Sequence, residues 1–512
     1  MTNENQDVRV RTRIGYISPW LSLIPVVAGV FMVVLDMSIL MVALPKITQD
    51  FQATASDVQW LLNAYLITLV VLQTIFGKIG DSVRRDYLYA TGMAIFLTGS
   101  YLSAKSWSIG VFILFRVIQA IGGAVIMGNS LALITELFPP GKRGTAMGVE
   151  SILIAASFAL GPVIGGWLTT NLSWHWVFYI NVPVGLFGVL AAFLLFPPLG
   201  GLSKEPLDYV GVILLAVGLG FFTLAIIKGQ DWGWWNRKTV WSFIISIAWL
   251  LAFIARELSY EYPVLDLSLF RIRNFTAPMM ALFFMSWGMA AVIFLIPYYL
   301  QGVLCLTAET AGLWMLPIST INLVAAPLAG RLSDRVNPQI MMCLAPLIFI
   351  SGLHMLANIG VNNDFMSLVL PFLALGSGIG LAMPAAMNVM MSAVPKEKAG
   401  MASGTIQTSN SLARSIGISF GGVVFTGKMN ELVLNAGNRI PSPQEIKLLG
   451  LLAIRGNALP LLEIVDAFLK SLQAVFNASI PVILLALIIA AFFVRGREHL
   501  KKVGTAKVGI AM

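Results

Sequence analysis

Long apolar runs recur along nearly the whole chain and constrain its fold more than any other feature. Each run is about 20 residues long, which is the length that an α-helix needs to cross a bilayer. Glycine, proline or charged residues separate one run from the next. Apolar residues make up 58% of the 512 residues and charged residues 11%, whereas about 25% charged is typical of soluble domains. The pattern excludes an ordinary soluble enzyme and predicts an all-α membrane protein.

Fourteen such runs predict fourteen transmembrane helices. We place them near residues 17–44, 57–77, 86–104, 109–135, 144–169, 176–197, 207–227, 239–256, 275–301, 309–331, 338–359, 365–392, 399–425 and 473–495. The polar residues 1–16 precede an uncleaved first span, and residues 496–512 form a tail. The longest loop is 426–472, where the sequence Ser442-Pro443-Gln444-Glu445 predicts the start of a short amphipathic helix.

The distribution of lysine and arginine predicts the orientation of the chain. These residues are concentrated in the segments that lie inside if the N-terminus is inside. The short outer loops contain only Lys46, Lys105, Lys228, Arg237 and Lys238. By the positive-inside rule, both termini are predicted to be cytoplasmic in a multi-pass protein of the cell membrane. Because the basic residues are scattered between apolar blocks, they form no patch for nucleic acid, and the bilayer is the expected partner.

An internal repeat divides the chain into two similar halves. Gly77-Lys-Ile-Gly-Asp81 returns 253 residues later as Gly330-Arg-Leu-Ser-Asp334, and Pro139 and Lys142 return 256 residues later as Pro395 and Lys398. The repeat predicts six-helix bundles at 17–198 and 275–495, with two inserted helices at 207–257. Transporters built from repeated halves bind substrate near the bilayer midplane and expose it to each side in turn.

The repeat is broken at two ionisable residues. Asp36 aligns with Gly288 and Arg116 with Phe372, so only the first half carries an acid and a guanidinium within its apolar runs. Both lie roughly 10–12 Å from the predicted outer ends of their helices, at about 1.5 Å per residue. A carboxylate within the bilayer is a functional candidate. We therefore predict that Asp36 and Arg116 pair and couple transport to protons or cations; a static salt bridge is the alternative.

Four further polar residues within apolar runs are candidates for substrate contact. Glu150 either reaches inward to Lys142 and Arg143 or offers a second carboxylate to a cationic substrate. Arg414 aligns with Phe158, and it either bonds helix carbonyls or meets Asp36 or an anionic group of the substrate. Gln119 and Asn410 either line the path or join helices by hydrogen bonds.

No cofactor is expected to drive the protein. The sequence has no phosphate-binding Gly-x-x-x-x-Gly-Lys-[Ser/Thr] loop, and its histidines, His175, His354 and His499, lack the spacing of a metal site. A proton gradient is the remaining energy source, since moving one charge is worth about 2.3 kcal/mol per 100 mV.

Several segments together resemble the major facilitator superfamily, and more narrowly its fourteen-helix drug:proton antiporters. They are Leu35-Asp36 to Pro45, Gly77 to Arg85, Arg116-Val-Ile-Gln119-Ala-Ile-Gly122, Gly161-Pro162-Val-Ile-Gly165-Gly166, Trp174 to Pro183 and Asp266 to Thr276. The chain departs from the family pattern at Ser82, Arg84, Asp86, Ala120 and His175.

The resemblance implies roles for individual residues. Asp36 looks like the proton or cation site of that group, and Arg116 like its proton-transfer arginine. Gating is implied for a further set: Gly77, Asp81, Arg85, Gly161, Pro162, Gly165, Gly166, Gly330, Asp334 and Arg335.

Together these features predict proton-coupled export of amphipathic, cationic compounds. Export of an acidic or zwitterionic metabolite is the alternative that Arg414 supports, and a nutrient or lipid facilitator on the same scaffold is a second. A membrane enzyme would need a clustered nucleophile and base, which the sequence does not show. A monomer and a complex with a periplasmic adaptor both stay open.

Overall fold

Helices make up almost all of the part of the chain that the structure describes. The computed structural model describes residues 10–199, 208–261, 263, 265, 267–333, 337–360, 363–394, 399–435 and 459–494. Within these ranges, ten helices are long and apolar enough to cross a membrane. The structure therefore agrees with an all-α membrane protein, and the count of fourteen spans stays a prediction.

Residues 10–199 and 208–261 form nine helices. They are α1 (Pro19–Asp50), α2 (Ala55–Ser82), α3 (Arg85–Ala104), α4 (Ile109–Leu137), α5 (Pro140–Asn171), α6 (Trp176–Tyr179), α7 (Asn181–Leu195), α8 (Tyr209–Trp232) and α9 (Arg237–Ser259). Side-chain caps define several starts. Thr54 and Asp57 form a capping box before α2, and Ser108 accepts from the backbone N–H of Val111 at the start of α4.

The described residues from 267 onward contain a short 3₁₀ helix at Leu267–Arg271 and seven α-helices. These are α10 (Arg273–Tyr298), α11 (Ala308–Trp314), α12 (Leu316–Ser333), α13 (Pro338–Leu356), α14 (Phe365–Ala393), α15 (Ala399–Asn435) and α16 (Leu459–Phe493). A π-helical segment, Tyr299–Val303, follows Pro297 at the end of α10. The side chain of Asn337 caps the start of α13, and Pro338 is its first residue.

Two predicted helices are each broken in two. The predicted helix 176–197 is interrupted at Ile180, and the predicted helix 309–331 is interrupted at Met315. Pro183 and Pro317 follow these breaks. A proline has no backbone N–H to donate and its ring clashes with the carbonyl four residues earlier, so each is tolerated only near a helix start.

Three other boundaries correct the sequence-based predictions. The sequence predicts no helix or strand for residues 1–16, whereas Val10–Thr12 and Gly15–Ile17 form a β-hairpin, β1 and β2, in which Gly15 has a φ of 116°. The loop 426–472 is shorter than predicted, because α15 continues to Asn435 and α16 begins at Leu459. The predicted helix after Ser442 lies outside the described residues.

The chain divides into two compact units. The first contains residues up to Leu265 together with Thr307–Gly312, and the second contains Asp266–Leu306 and the chain from Leu313 onward. The inserted helices α8 and α9 pack against each other, and α8 packs on α2, so they belong to the first unit. Arg256 of α9 binds Asp208 at the start of α8, with Nε and Oδ2 at 3.2 Å.

The same helix pairs pack together in both units. In the first unit α1 packs on α5 and α7, α2 on α4, and α3 on α4 and α7. In the second, α10 packs on α15 and α16, α12 on α14, and α13 on α14 and α16. The helix contacts therefore repeat in the order that the sequence repeat predicts.

Candidate functional site

Asp36 lies at the centre of a buried polar cluster in the first unit. The Arg116 guanidinium NH1 donates to Asp36 Oδ2 at 2.6 Å, and Gln119 Nε2 donates to Asp36 Oδ1 at 2.8 Å. Asn181 Nδ2 donates to the same Oδ1 at 2.9 Å. We call Asp36, Arg116, Gln119 and Asn181 the acid cluster; it joins α1, α4 and α7.

Neighbouring side chains hold the donors of the acid cluster in place. Arg116 NH1 also donates to Gln119 Oε1 at 2.6 Å, and Asn181 also donates to Ser100 Oγ at 3.0 Å. Ser100 in turn donates to the backbone carbonyl of Phe178 at 2.9 Å. Because each donor has a second bond, the cluster is a connected network and not a single pair.

The acid cluster is enclosed in apolar surroundings. Asp36 is 0% exposed and Arg116 is 1% exposed, and the guanidinium carbon lies 4.1 Å from the centre of the Tyr65 ring. The Tyr65 hydroxyl and Arg116 Nε have no hydrogen-bond partner among the described atoms. Removing one member of such a pair leaves an uncompensated charge, which typically costs about 3–5 kcal/mol. The two groups must therefore change their charge or their position together.

The structure brings together the two residues that the sequence paired, although one helix boundary used in that argument was wrong. The predicted first helix ended at Leu44, whereas α1 continues through Pro45 to Asp50. Asp36 is therefore farther from the helix end than Arg116 is from the start of α4. The pair still meets because a long helix need not end at the membrane boundary.

Sequence reasoning missed three members of this site and its surroundings. Asn181 was noted only within the Trp174 to Pro183 landmark, and its position in an apolar run was the one available signal. Tyr65 and Ser100 gave no signal, because aromatic and small polar residues are common in transmembrane helices.

Glu150 lies in the packed interior of the first unit. Its side chain is 5% exposed and forms a hydrogen bond with Ser130 of α4. Tyr89 of α3 is close enough to interact electrostatically, and its hydroxyl donates to the carbonyl of Val26 on α1. The side chains of Lys142 and Arg143 lie outside the described part, so neither proposed role for Glu150 is decided.

Arg414 and Asn410 lie on α15 in the second unit. Arg414 Nε makes a long hydrogen bond of 3.4 Å to the carbonyl of Asn410, and Ser286 of α10 donates to Asn410 Oδ1 at 3.2 Å. Arg414 is partly exposed. No described acid forms a salt bridge with Arg414, so the second unit has no equivalent of the acid cluster in its described residues.

The motif from Gly77 to Arg85 lies where α2 ends and α3 begins, and it packs on the last turns of α4. Arg85 is 3% exposed, donates from Nε to Asn129 Oδ1 at 3.3 Å and forms an ion pair with Glu136. A Cβ added at Gly80 would overlap Asn129, so the α2 backbone packs directly on this side chain. Gly77 lies against the carbonyl of Gly128 on α4. The side chain of Asp81 lies outside the described part.

Two of the departures from the family motif bind each other. Arg84 stands where glycine is usual and Asp86 where lysine is usual, and Arg84 NH2 lies 2.6 Å from Asp86 Oδ2. The Asp86 carboxylate raises the pKa of Arg84 above its usual value. The two unusual residues therefore compensate each other's charge, with the Asp86 carboxylate buried and the Arg84 guanidinium exposed.

Close backbone packing surrounds the glycine-proline motif of α5. Gly161 lies against Ser38, and a Cβ at Gly165 would come within 2.7 Å of the Ile39 carbonyl oxygen. The repeat predicts equivalent contacts in the second unit. There, Gly417 lies against Trp287 and Ala290, and Gly421 lies against Ala291. Equivalent close packing is confirmed.

Residues 307–312 pack on the C-terminal half of α5. A Cβ at Gly166 would overlap Ala308, and one at Gly312 would overlap the carbonyl of Pro162. The Glu309 backbone N–H donates to Thr170 Oγ1 at 2.9 Å, and Asn171 Nδ2 donates to Glu309 Oε2 at 3.1 Å.

The remaining motif residues lie in α12, in the segment that follows it and next to α6. Gly330 lies in α12, whereas Asp334 and Arg335 lie outside the described residues. His175, where arginine is usual, stacks on Trp174 with ring centres 3.8 Å apart. Burial lowers the pKa of His175 below its usual value, so the imidazole is neutral at pH 7.

A repeated bundle of membrane-crossing helices, with a polar network buried in one copy, defines a transporter and not an enzyme. The chain belongs to the Major Facilitator Superfamily, whose family model matches residues 26–418.

Two relatives cover most of the chain. It is 30% identical over 415 residues to the tetracenomycin C resistance and export protein of Streptomyces glaucescens. The aligned region covers 81% of this chain and 77% of that protein. It is 29% identical over 395 residues to the multidrug export protein EmrB of Haemophilus influenzae, covering 76% and 77%.

A solved structure shares the fold. It is the bacterial homolog of the human lysosomal transporter Spinster in an inward-facing, unoccupied conformation, with a TM-score of 0.66 and 16% sequence identity. The similarity covers 93% of this chain and 97% of that one.

Proposed function

We propose that this protein is a proton-coupled antiporter that exports amphipathic compounds across the cell membrane, with both termini in the cytoplasm. The observation that carries the proposal is the acid cluster. A carboxyl group that is 0% exposed and bonded to a guanidinium at 2.6 Å is a costly arrangement within a membrane protein. Binding and release of a proton by Asp36 during transport would account for keeping this carboxyl group buried.

Protonation links the charge of Asp36 to the position of Arg116. A proton on Asp36 removes the negative charge that attracts the guanidinium, and Arg116 then needs another acceptor. Gln119 Oε1, to which Arg116 NH1 already donates at 2.6 Å, can then serve as its main acceptor. Loss of the proton restores the ion pair. Two protonation states thus favour two arrangements of α1 and α4, which is the requirement for alternating access driven by protons.

The relatives support an exported substrate. One is a resistance and export protein for tetracenomycin C, and another is a multidrug export protein. The sequence further predicts that the substrate is cationic and competes with the proton for Asp36. In that case a cationic group must displace one of the three donors that bond Asp36, of which Arg116 is the strongest.

An acidic or zwitterionic substrate is the second candidate. Arg414 favours it, because this guanidinium has no described acidic partner in the second unit. Export and proton coupling are therefore proposed independently of whether the substrate is cationic, acidic or zwitterionic.

Proton coupling can be tested with proteoliposomes that contain a pH-sensitive dye and a tetracyclic or dye substrate. The wild-type protein should move protons when substrate is added and should move substrate when a pH gradient is imposed. Asp36→Asn should abolish both movements, because the amide has nearly the same size as the carboxyl group but cannot exchange the proton. Asp50→Asn is the matched control, since Asp50 lies on the same helix and is surface-exposed.

The results separate the coupling residue from the fold. If Asp36→Asn still folds, as a cooperative melting transition shows, and loses both movements while Asp50→Asn keeps them, the proposal stands. If Asp36→Asn retains proton-driven transport at the wild-type rate, the proposed role of Asp36 is wrong.

A further inference from the structure

One face of α15 packs along α10 within the second unit. Asn410 contacts Ser286 and Gly417 contacts Trp287, while Arg414 lies between them at helical spacing on the same face. Arg414 is therefore placed beside residues 286 and 287 of α10. We call Ser286, Trp287, Asn410 and Arg414 the donor cluster.

Arg414 has hydrogen-bonding capacity that the described protein does not use. Its guanidinium has five N–H donors, and its one described hydrogen bond runs from Nε to the Asn410 carbonyl at 3.4 Å. Arg414 is partly exposed and lies near the middle of α15, whose residues 399–425 are predicted from the sequence to cross the membrane. A guanidinium facing lipid is very costly, so this exposed part faces water or a polar ligand.

The other members of the donor cluster also present donors. The indole Nε1 of Trp287 is buried and has no hydrogen-bond partner among the described atoms. Asn410 Oδ1 already accepts from Ser286 Oγ, and no described acceptor is bonded to its Nδ2 donors. A group of donors with its acceptor already occupied is suited to a ligand that supplies acceptors. An anionic group such as a carboxylate or a sulfonate is the best match to a guanidinium.

Aromatic rings surround one side of the donor cluster. The rings of Phe284 and Trp287 stack with centres 6.0 Å apart, and Phe420 meets Trp287 edge to face at 5.8 Å. Phe283 packs on both Phe284 and Trp287. Flat aromatic ligands pack well against such rings.

We propose that the donor cluster is a binding subsite for the anionic group of an aromatic amphipathic substrate. Arg414 binds the anion, Trp287 and Asn410 donate further hydrogen bonds, and the phenylalanines contact the aromatic part. The inference rests on the proposed transport function for its physiological meaning, but binding to this subsite does not depend on proton coupling.

Two matched probes test the charge that the subsite recognises. The full-length protein is reconstituted in lipid nanodiscs, and the binding of tritiated 1-pyrenebutyrate is compared with that of 1-pyrenebutanamide, after subtraction of binding to empty nanodiscs. The probes share the aromatic part and differ in charge. Charge-assisted hydrogen bonds are stronger than neutral ones, so we expect the anion to bind at least about tenfold more tightly to the wild-type protein.

Four variants locate that preference. Arg414→Gln should make the two affinities equal, and Arg414→Lys should keep part of the preference because the charge remains. Trp287→Phe keeps the ring and removes the indole donor, so it should weaken anion binding about two- to fivefold. Arg237→Gln is the matched control, because it removes an exposed arginine at the start of α9 and should change neither affinity.

Each outcome decides the proposal. It is overturned if the wild-type protein binds neither probe or both equally, or if Arg414→Gln keeps the preference. If Arg414→Gln does not fold, a two- to fivefold weaker anion binding in Trp287→Phe with unchanged binding in Arg237→Gln supports the proposal, and an unchanged Trp287→Phe overturns it. Asp36→Asn should retain the preference, so a failure of proton coupling is distinguished from a failure of the subsite.

Discussion

The two units share their close backbone contacts and differ in the polar groups that they bury. Gly165 packs on Ile39 in the first unit and Gly421 packs on Ala291 in the second, at positions that the repeat aligns. Where the first unit has Asp36, the second has Gly288, packed against the Ile483 side chain. Where the second unit has Arg414, the first has Phe158.

This difference separates what builds the scaffold from what gives it chemistry. Glycine contacts need only the absence of a side chain, so both copies preserve them without any charged residue. A buried charge needs a network of partners, which in the first unit is formed from α1, α4 and α7. A duplicated bundle can therefore specialise at a few positions while its packing stays the same.

The largest expected effect concerns the charge pair of the first unit. Arg116→Gln leaves the Asp36 carboxylate without its cation in a site that is 0% exposed. We expect a loss of about 3–5 kcal/mol in the free energy of unfolding, measured by thermal melting of the purified protein in detergent. No comparable loss is expected for Arg414→Gln, because Arg414 has no described acidic partner.

A second substitution tests the cause of that loss. Asp36→Asn combined with Arg116→Gln removes both charges and keeps neutral hydrogen-bonding groups. The double variant should recover most of the stability and none of the proton coupling. Equal instability of the single and double variants would mean that packing, and not charge, explains the effect of Arg116→Gln.

A smaller effect is expected at the glycine contacts that both units share. Gly417→Ala places a methyl group against the Trp287 backbone carbonyl, whereas the nearest atoms at Gly161 belong to the Ser38 side chain. The helix backbone fixes both the Trp287 carbonyl oxygen and Ser38 Cβ, so neither atom can move aside by side-chain rotation. We expect Gly417→Ala and Gly161→Ala each to cost about 1–3 kcal/mol, by melting temperature. A loss of stability at only one of the two positions would contradict the equivalence of these contacts.

The smallest expected effect is at Glu150. Glu150→Gln keeps the side-chain size and a hydrogen bond with Ser130, and the residue is only 5% exposed. We expect the transport KM to stay within about twofold of the wild-type value and the stability to change by less than about 1 kcal/mol. A tenfold increase in KM would place the substrate at Glu150 and would extend the functional chemistry of the first unit toward its inner end.

Much of the helical architecture was predictable, because hydrophobicity is read locally. Every long helix of the described chain overlaps one of the predicted apolar runs, although the predicted ends differ from the observed ones. Errors occurred where local rules conflict. Pro45 suggested a helix end but lies inside α1, while Pro183 and Pro317 follow real breaks. The hairpin at residues 10–17 was missed because its strands are too short for a periodic pattern.

The candidate site was predictable in part. An acid and an arginine in apolar runs are rare enough to attract attention, and their absence from the second copy strengthened the pairing. Asn181 and Tyr65 were not predicted as partners, although Asn181 belongs to the acid cluster and Tyr65 contacts its Arg116. The donor cluster was represented only by Arg414 and Asn410, since nothing in the sequence indicates that the Trp287 indole lacks an acceptor.

The sequence by itself determined the class of the molecule, its duplication and the asymmetry of charge between its copies. These properties follow from the order and type of residues along the chain and do not depend on how the helices pack together. Only the tertiary structure decided which polar atoms bond. Asn181 reaches Asp36 across 145 positions of sequence, and a shift of one residue would turn a helical side chain by about 100°. Hydrogen bonds require directions and distances that only packed helices define.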